Sequence, residues 1–463
     1  MKIAVIPIDN RPICYDIIED ILNQDTSIEL FMPDIKDLGG LNHNSNINAI
    51  FEFIKNLPCV DYFIVSLDTV AYGGLISSRR TNENFDVIQK RMEEFKSLVE
   101  QKGCKTLAFS SIMRISNNNI NEEEKEYWAQ WGKRIFEWSY WLHKSEKEQT
   151  HNCVLNKIPD DILEDYLSSR KRNFEINKMY LKWAKSGFFD TLIYSKDDCA
   201  EYGLNIKEAQ ELENLSKNLN NVFVKTGADE IPLSLISRAL NRNLNEKINL
   251  VFSYPQSTNL ISKYEDVSIL NCAKGQISLA GLECDENANY TFLINNFETE
   301  QGDLVLGDKI NITKSPKKFF QLPYFIADVN NANGADDGFI RQLFLEKTDN
   351  FFGYCAYNTS ANTIGCALLN FIVKLRAQKQ NTYNHSAFLK IQFIRFLDDW
   401  AYQAKIRKNI KNSLDFKQAL IENIPKLNIL AKDISKFLNF YPKEITYSLP
   451  WERSFEIRIR VRE

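Results

Sequence analysis

The chain has 463 residues, enough for one large α/β domain or two to three ordinary ones. Its 57 Lys and Arg against 61 Asp and Glu leave a formal charge of −4, which argues against the basic surface of a general nucleic-acid binder. No stretch approaches the roughly 18 unbroken apolar residues of a membrane span, so neither nucleic acid nor membrane is expected as a partner.

The N-terminal "MKIAVIPIDN" carries an apolar run too short for a signal-peptide core and reads as a first strand. Nine scattered cysteines without a C-x-x-C motif suggest reduced thiols and a cytoplasmic protein. The four histidines, His43, His143, His151 and His385, show no zinc-ligand spacing.

In chain order, apolar runs predict strands over 3–8, 28–33, 62–68, 106–111, 191–195, 222–227, 248–254, 291–296, 324–329 and 353–358. Most lack polar alternation, as strands buried on both faces do. Helical periodicity falls between many of them, over 84–101, 159–186, 206–218, 229–241, 336–346 and 362–378. This alternation predicts an α/β fold with a mostly parallel sheet. A TIM-barrel-like arrangement with additions is the first expectation, although ten strands exceed its eight; the alternative is two consecutive doubly wound, Rossmann-like sheets.

Residues 117–150 read as one charged, Trp-rich helix that packs its aromatic stripe on the body, or rims a ligand cleft. Residues 297–318 read as a polar excursion or small hairpin. From 382 onward the chain is helical, with an amphipathic helix at "FIRFLDDWAYQAKIRKNIKNSL" and a half-exposed strand at "SFEIRIRVRE". The expected organisation is an α/β domain over 1–380, with room for an internal division near 255–290, and a mainly helical region over 381–463 ending in a strand.

Polar residues gather after the strands. Asp9, Asn10 and Arg11 follow the first, and Asp68, Tyr72, Gly73 and Gly74 the third. Arg114 follows the fourth, Asp197 and Asp198 the fifth, and Asp229 and Glu230 the sixth. Asp328, Asn331 and Asn358 come later. In parallel α/β folds this edge carries the ligand site.

Each group also has a bland reading. Asp9 to Pro12 could form a turn with a local ion pair, and Asp68 could bind backbone. Gly73–Gly74 suits a tight turn, and no phosphate-binding Gly motif occurs. Asp229 and Glu230 could stabilise a helix start. Asn358 could be a turn residue and Asn362 an N-cap, while Asp398 and Asp399 would be a solvated helix face. The adjacent Asp197 and Asp198 fit no cap. Two carboxylates at a strand mouth repel, which raises one pKa and leaves one acid beside one anion. Glycosidic cleavage uses such a pair.

The motifs "PIDNRP", "SLDTVAYGGLISSR", "SRKRN", "YSKDD", "TGADE", "NNANGADD", "YNTSANTIG" and "LDDWAYQAKIR" together resemble an uncharacterised bacterial family, domain of unknown function 4127, over nearly the whole chain. The resemblance implies as site candidates Asp9, Arg11, Asp68, Tyr72, Gly73, Gly74, Arg79, Arg172, Asn173, Asp197 and Asp198. It also implies Asp229, Glu230, Asn333, Asp336, Asn358, Thr359 and Asn362. Tyr357 departs from the Trp expected at its position.

"YSKDD" and "YNTSANT" are also similar, in order and setting, to motifs of barrel hexosaminidases of the O-GlcNAcase type. That likeness implies that Asp197 orients an acetamido group, Asp198 protonates the leaving oxygen and Asn358 holds sugar hydroxyls.

The resulting expectation is a glycoside hydrolase-like enzyme without a cofactor, acting on a small-molecule or oligosaccharide substrate. The alternatives are an enzyme holding Mg²⁺ or Mn²⁺ through Asp9, Asp68, Asp197 and Asp229, or a non-catalytic ligand-binding protein.

Overall fold

The computed structural model describes residues 1–149, 158–242, 244–307, 309–313 and 322–463. The chain divides into two compact units. The first comprises Met1–Asn10, Glu29–Pro232 and Tyr264–Asp266; the second comprises Arg11–Ile28, Leu233–Lys263 and Val267–Glu463.

In the first unit the strands are β1 (Lys2–Ile6), β2 (Glu29–Phe31), β3 (Tyr62–Ser66), β4 (Lys105–Ile112), β5 (Thr191–Lys196) and β6 (Val222–Thr226). They form one six-stranded parallel sheet in the order β2-β1-β3-β4-β5-β6. This is the flavodoxin-like order 2-1-3-4-5 extended by one strand. The central strands carry the core: Ile3 to Ile6 and Ile64 to Val65 are fully buried, as the unbroken apolar runs predict.

In the second unit β7 (Lys247–Phe252), β8 (Glu283–Cys284), β9 (Thr291–Asn295), β11 (Tyr324–Asp328) and β13 (Phe351–Cys355) form a parallel sheet in the order β13-β11-β9-β7-β8. The short β10 (Gly302–Asp303) pairs in parallel with β12 (Asn331–Ala332), so within 297–318 the chain makes no hairpin of its own among the described residues. Residues 308 and 314–318 of that stretch lie outside the described set. β14 (Glu444–Ser448) and β15 (Arg458–Arg462) close an antiparallel hairpin, and β15 alternates buried and exposed residues as "EIRIRVR" predicts.

All ten expected strands occur, and the fold is mixed α/β with mostly parallel sheets. The barrel expectation is corrected. The strands lie in two open sheets, each with two edge strands, rather than in one closed ring. Two consecutive parallel sheets, the alternative, describe the pairing, and the likeness to barrel hexosaminidases gains no support from it.

Two helix expectations and the end of one expected strand need correction. The Trp-rich helix spans Trp128–Glu148 rather than 117–150; residue 150 lies outside the described set. Its stripe packs Trp128 and Ile135 against Met113, Ile115 and Tyr166, which is the bland reading of that segment. The "SLDTVAYGGLISSR" loop holds two short helices, Leu67–Tyr72 and Leu75–Arg80, so Asp68 sits in a first helical turn capped by the Ser66 hydroxyl. The amphipathic C-terminal helix is interrupted: α-helix His385–Arg395 passes into an eleven-residue π-helix, Phe396–Ile406. Asp399 within it is fully buried rather than solvated, with Arg395 on its carboxylate at 3.2 Å.

Among the described residues, no helix is long and apolar enough to cross a membrane.

Candidate functional site

Strand register builds the site. β4 and β5 pair in parallel with Ile112 opposite Lys196. Two residues further, where both chains leave the sheet, Arg114 comes level with Asp198. β3 and β4 pair with Ser66 opposite Phe109, which brings Asp68 level with Ser111. The Ser111 N–H donates to Asp68 Oδ2 at 2.7 Å.

Arg114 gathers four carboxylates. Its Nη1 donates to Asp197 Oδ2 at 3.3 Å and to Asp198 Oδ2 at 3.0 Å. Its Nε reaches Glu124 Oε1 at 3.0 Å and its Nη2 reaches Glu123 Oε2 at 2.8 Å. Arg79, almost wholly buried, adds a second guanidinium, with Nη1 3.3 Å from Glu124 Oε1 and 3.8 Å from Asp197 Oδ2. A guanidinium suits this place because it stays charged and presents several fixed donors at once.

The surrounding chain holds these two arginines in position. Arg172 Nη2 and Asn173 Nδ2 both donate to the Ser78 carbonyl, at 2.8 and 2.9 Å, fixing the residue before Arg79. Arg172 Nη1 also takes the Thr81 and Glu83 carbonyls at 2.6 and 3.0 Å. Arg80 spans the acidic loop, donating to the carbonyls of Glu124 at 3.0 Å, Asn121 at 3.3 Å and Glu122. Arg172, Asn173 and Arg80 therefore position the cluster rather than join it.

Asp198 is the unusual member. Its φ of +41° lies in the left-handed region, which costs a non-glycine residue on the order of 1–3 kcal/mol and concentrates at functional sites. Burial first, and the Asp197 charge second, push its carboxyl up to about 7 against the pull of Arg114. Asp198 is nevertheless the most open of the four acids, its side chain one-third exposed where Glu124 is 5%. Burial likewise pushes Asp68 up to about 6, opposed by its bonds to Ser111 and Ser110 and by the Arg79 charge. The arrangement presents two neighbouring carboxyl groups on one cation, with that of Asp198 raised toward neutrality by burial.

Gly73, with φ of +92°, ends the Leu67–Tyr72 helix, and its carbonyl accepts the Ser45 N–H at 2.8 Å. A Cβ on Gly39 would stand 2.3 Å from that carbonyl oxygen. The diglycine thus serves a close backbone approach rather than a phosphate cradle. Tyr72 is buried under the Arg172 guanidinium, 5.6 Å from its ring centre. Asp9 is buried just beyond β1. Asp229 and Glu230 precede helix Ile231–Asn241, and Glu230 turns back to accept the Ala228 N–H at 2.9 Å. Burial pushes the Glu230 carboxyl well up.

Candidates in the second unit form their own polar network. Arg11 lies 5.2 Å over the Trp451 ring. Asp336, the N-cap of helix Asp337–Leu343, accepts from the Gly338 and Phe339 N–H groups and from Thr313. Asp328 accepts from the Asp336 N–H, the Tyr354 hydroxyl and Asn295 Nδ2, each at 2.8 Å. Asn333 and Asn358 both adopt left-handed backbone, φ +64° and +54°, and the Asn358 carbonyl accepts the Asn333 N–H at 2.8 Å. The N-cap expected at Asn362 is corrected: Thr359 caps helix Ser360–Gln380, and Asn362 supplies the N–H that its hydroxyl accepts.

Glu123 and Glu124 were hidden from the sequence by the helix expected over 117–150. The signal that could have found them is the Asn run "NNNIN" ahead of them, a loop marker that delays the helix to Trp128. Among the described residues, no three His, Cys, Asp or Glu side chains are grouped so as to hold a metal ion.

The chain matches the family model described as "Protein of unknown function (DUF4127)" over residues 3–460. It belongs to that family. No curated protein matches it. In this DUF4127 protein the motifs "YSKDD" and "SLDTVAYGGLISSR" converge, through Asp197, Asp198 and Arg79, on the Arg114 cluster.

Proposed function

We propose that the protein is a hydrolase that works by acid–base catalysis on a carbohydrate, a glycoside hydrolase in class. Asp198 is the acid, and Asp197 is its anionic partner. The observation that carries this reading is the pair itself: two carboxyl oxygens on one Arg114 nitrogen, with burial pushing the Asp198 carboxyl up to about 7.

Asp198 would donate its proton to the leaving glycosidic oxygen, a contribution of about 10²–10⁴-fold in rate. Asp197, kept close to Arg114, would stabilise or attack the positively charged sugar carbon. The two bonds at 3.3 and 3.0 Å hold these oxygens closer than the roughly 6.5–9.5 Å of an inverting pair. That spacing favours a retaining course, with Asp197, or a substrate acetamido group that it orients, as nucleophile. Asp198 lies at the C-terminal edge of the parallel sheet, where ligands of such folds bind.

A panel of aryl glycosides, N-acetylhexosaminides included, tests the reading. The wild type should release the phenol, and Asp197→Asn and Asp198→Asn, folded by circular dichroism, should lose at least about 10²-fold. Asp198→Asn should keep more of its rate on dinitrophenyl than on nitrophenyl glycosides, because a better leaving group needs less acid. A panel left untouched overturns the reading.

Arg80 favours a second reading. Its bonds to the Asn121, Glu122 and Glu124 carbonyls make the cluster a clamp for the acidic loop, and buried ion-pair networks shift pKa values without catalysis. In that case the Asp198→Asn protein changes loop protection in hydrogen exchange, and neither it nor the wild type turns over a glycoside.

A further inference from the structure

Cys355, the last residue of β13, and Cys366, in the second turn of helix Ser360–Gln380, point their sulfur atoms at one another 3.0 Å apart. Both are fully buried and both are free thiols. The Asn370 side-chain amide stands 3.7 Å from each sulfur and donates toward both. We infer that Cys355 and Cys366 form an intramolecular disulfide when the protein meets a disulfide oxidant, making this pair a modification site separate from the Asp197–Asp198 cluster.

The geometry carries the inference. The sulfurs need approach by only about 1 Å to reach bonding distance. One N–H of that amide goes to the Cys366 carbonyl at 3.2 Å, which leaves the other to face the sulfurs. The bond would tie the end of β13 to the helix across 356–359, the turn that contains Asn358 and the capping Thr359. Because the pair is buried, exchange requires local opening of that turn and is slow.

With glutathione disulfide as oxidant the step balances. One cysteine thiolate attacks a glutathione sulfur, breaks the glutathione disulfide and releases one glutathione thiolate. The second cysteine loses its proton to solvent and attacks the resulting mixed disulfide, forming the Sγ–Sγ bond and releasing the second glutathione. Two electrons pass from the cysteine pair to the glutathione pair.

The test is equilibration of the full chain in glutathione redox buffers, native and in urea, followed by acid quench, alkylation and trypsin. No Lys or Arg lies between Lys347 and Lys374, so both cysteines leave in one peptide, residues 348–374. The expected native product is that peptide, two hydrogens lighter and unalkylated, at a reduced-to-oxidised glutathione ratio at least about tenfold higher than in urea. The Cys355→Ser chain should instead yield a peptide carrying one alkyl group; if that variant does not fold, the native-against-urea comparison decides alone. Closure that needs equal or more oxidising buffer in the native chain, or a peptide trapped as a glutathione adduct, overturns the inference.

Discussion

Asp197 and Asp198 each direct an oxygen at Nη1 of Arg114, so a single nitrogen separates two neighbouring carboxyl groups that would otherwise repel. Strand register brings this about. Ile112 pairs with Lys196, and the chain continues two residues on each side to Arg114 and Asp198. The opposite ends of the pairing, Leu107 with Thr191, lie in the apolar core, where charge could not be accommodated unpaired.

Removing the shared cation should be costly. Arg114 is 14% exposed and faces Glu123, Glu124, Asp197 and Asp198. Arg114→Met removes the cation that bonds all four acids, and loss of one partner from a buried pair costs about 3–5 kcal/mol. Urea unfolding should show a loss of that size at pH 7. The loss should shrink at pH 5, where Asp198 is protonated on its own. A change below about 1 kcal/mol would mean that solvent already screens the cluster, as it does for surface pairs.

The pH dependence has a definite sign. Asp198 rises from 3.8 to about 7 on folding, so between those values the native state binds a proton that the unfolded state has released. Stability from this group is therefore full below about pH 4 and declines as pH rises toward 7. Asp68 and Asp328 act in the same direction, raised to about 6 and about 7 by burial. The difference between wild type and Asp198→Asn isolates Asp198. Thermal midpoints from pH 4 to pH 8 should fall more steeply for the wild type. Parallel curves would show that Asp198 ionises alike in both states.

How far the sequence reveals this arrangement varies by element. β1, β3 and β5 are legible because "IAVI", "YFIVS" and "TLIYS" are unbroken apolar runs that only a strand buried on both faces explains. The helix at Leu67–Tyr72 is not, because "LDTVAY" continues the apolar run of β3 and only the Ser66 cap marks the change. Asp197 and Asp198 stand out as adjacent like charges beyond a strand. Glu123 and Glu124 do not, since "NEEEKE" reads as helix surface until Arg80 and Arg114 are seen to hold it. The burial of Asp399 depends on Arg395 and on the Ala356 N–H, 43 residues away, so no local pattern signals it.

Two glycines separate steric from conformational cost. Gly39 has no left-handed backbone, but a Cβ there would meet the Gly73 carbonyl oxygen at 2.3 Å. Gly103 has φ of +62° and open space around it. Gly103→Ala should cost about 1 kcal/mol, the conformational penalty alone. Gly39→Ala should cost about 3 kcal/mol, because a backbone carbonyl cannot move aside as a side chain can. Chemical denaturation of the two variants checks the order; equal losses would contradict the close approach of the two loops.

In the second unit Asp328 accepts from four donors: the Asp336 and Asn330 N–H groups, the Tyr354 hydroxyl and Asn295 Nδ2. Asp328→Ala takes the acceptor from these donors in the core and should cost about 4 kcal/mol, at the upper end for single substitutions. Replacing Tyr354 by Phe removes one donor together with its need, and should cost nearer 1 kcal/mol. A double-mutant cycle on the two positions measures their coupling, and additive losses would contradict the contact.

The central claim is that burial raises the Asp198 carboxyl far above the ordinary aspartate range, and carbon-13 NMR titration of the aspartate side-chain carboxyl groups addresses it most directly. With Asp198 assigned by comparison with Asp198→Asn, the account predicts that its carboxyl carbon titrates near pH 7, about three units above an ordinary aspartate. An Asp198 resonance that titrates near pH 4 would contradict the account, because the proposed acid would have no proton to give at neutrality.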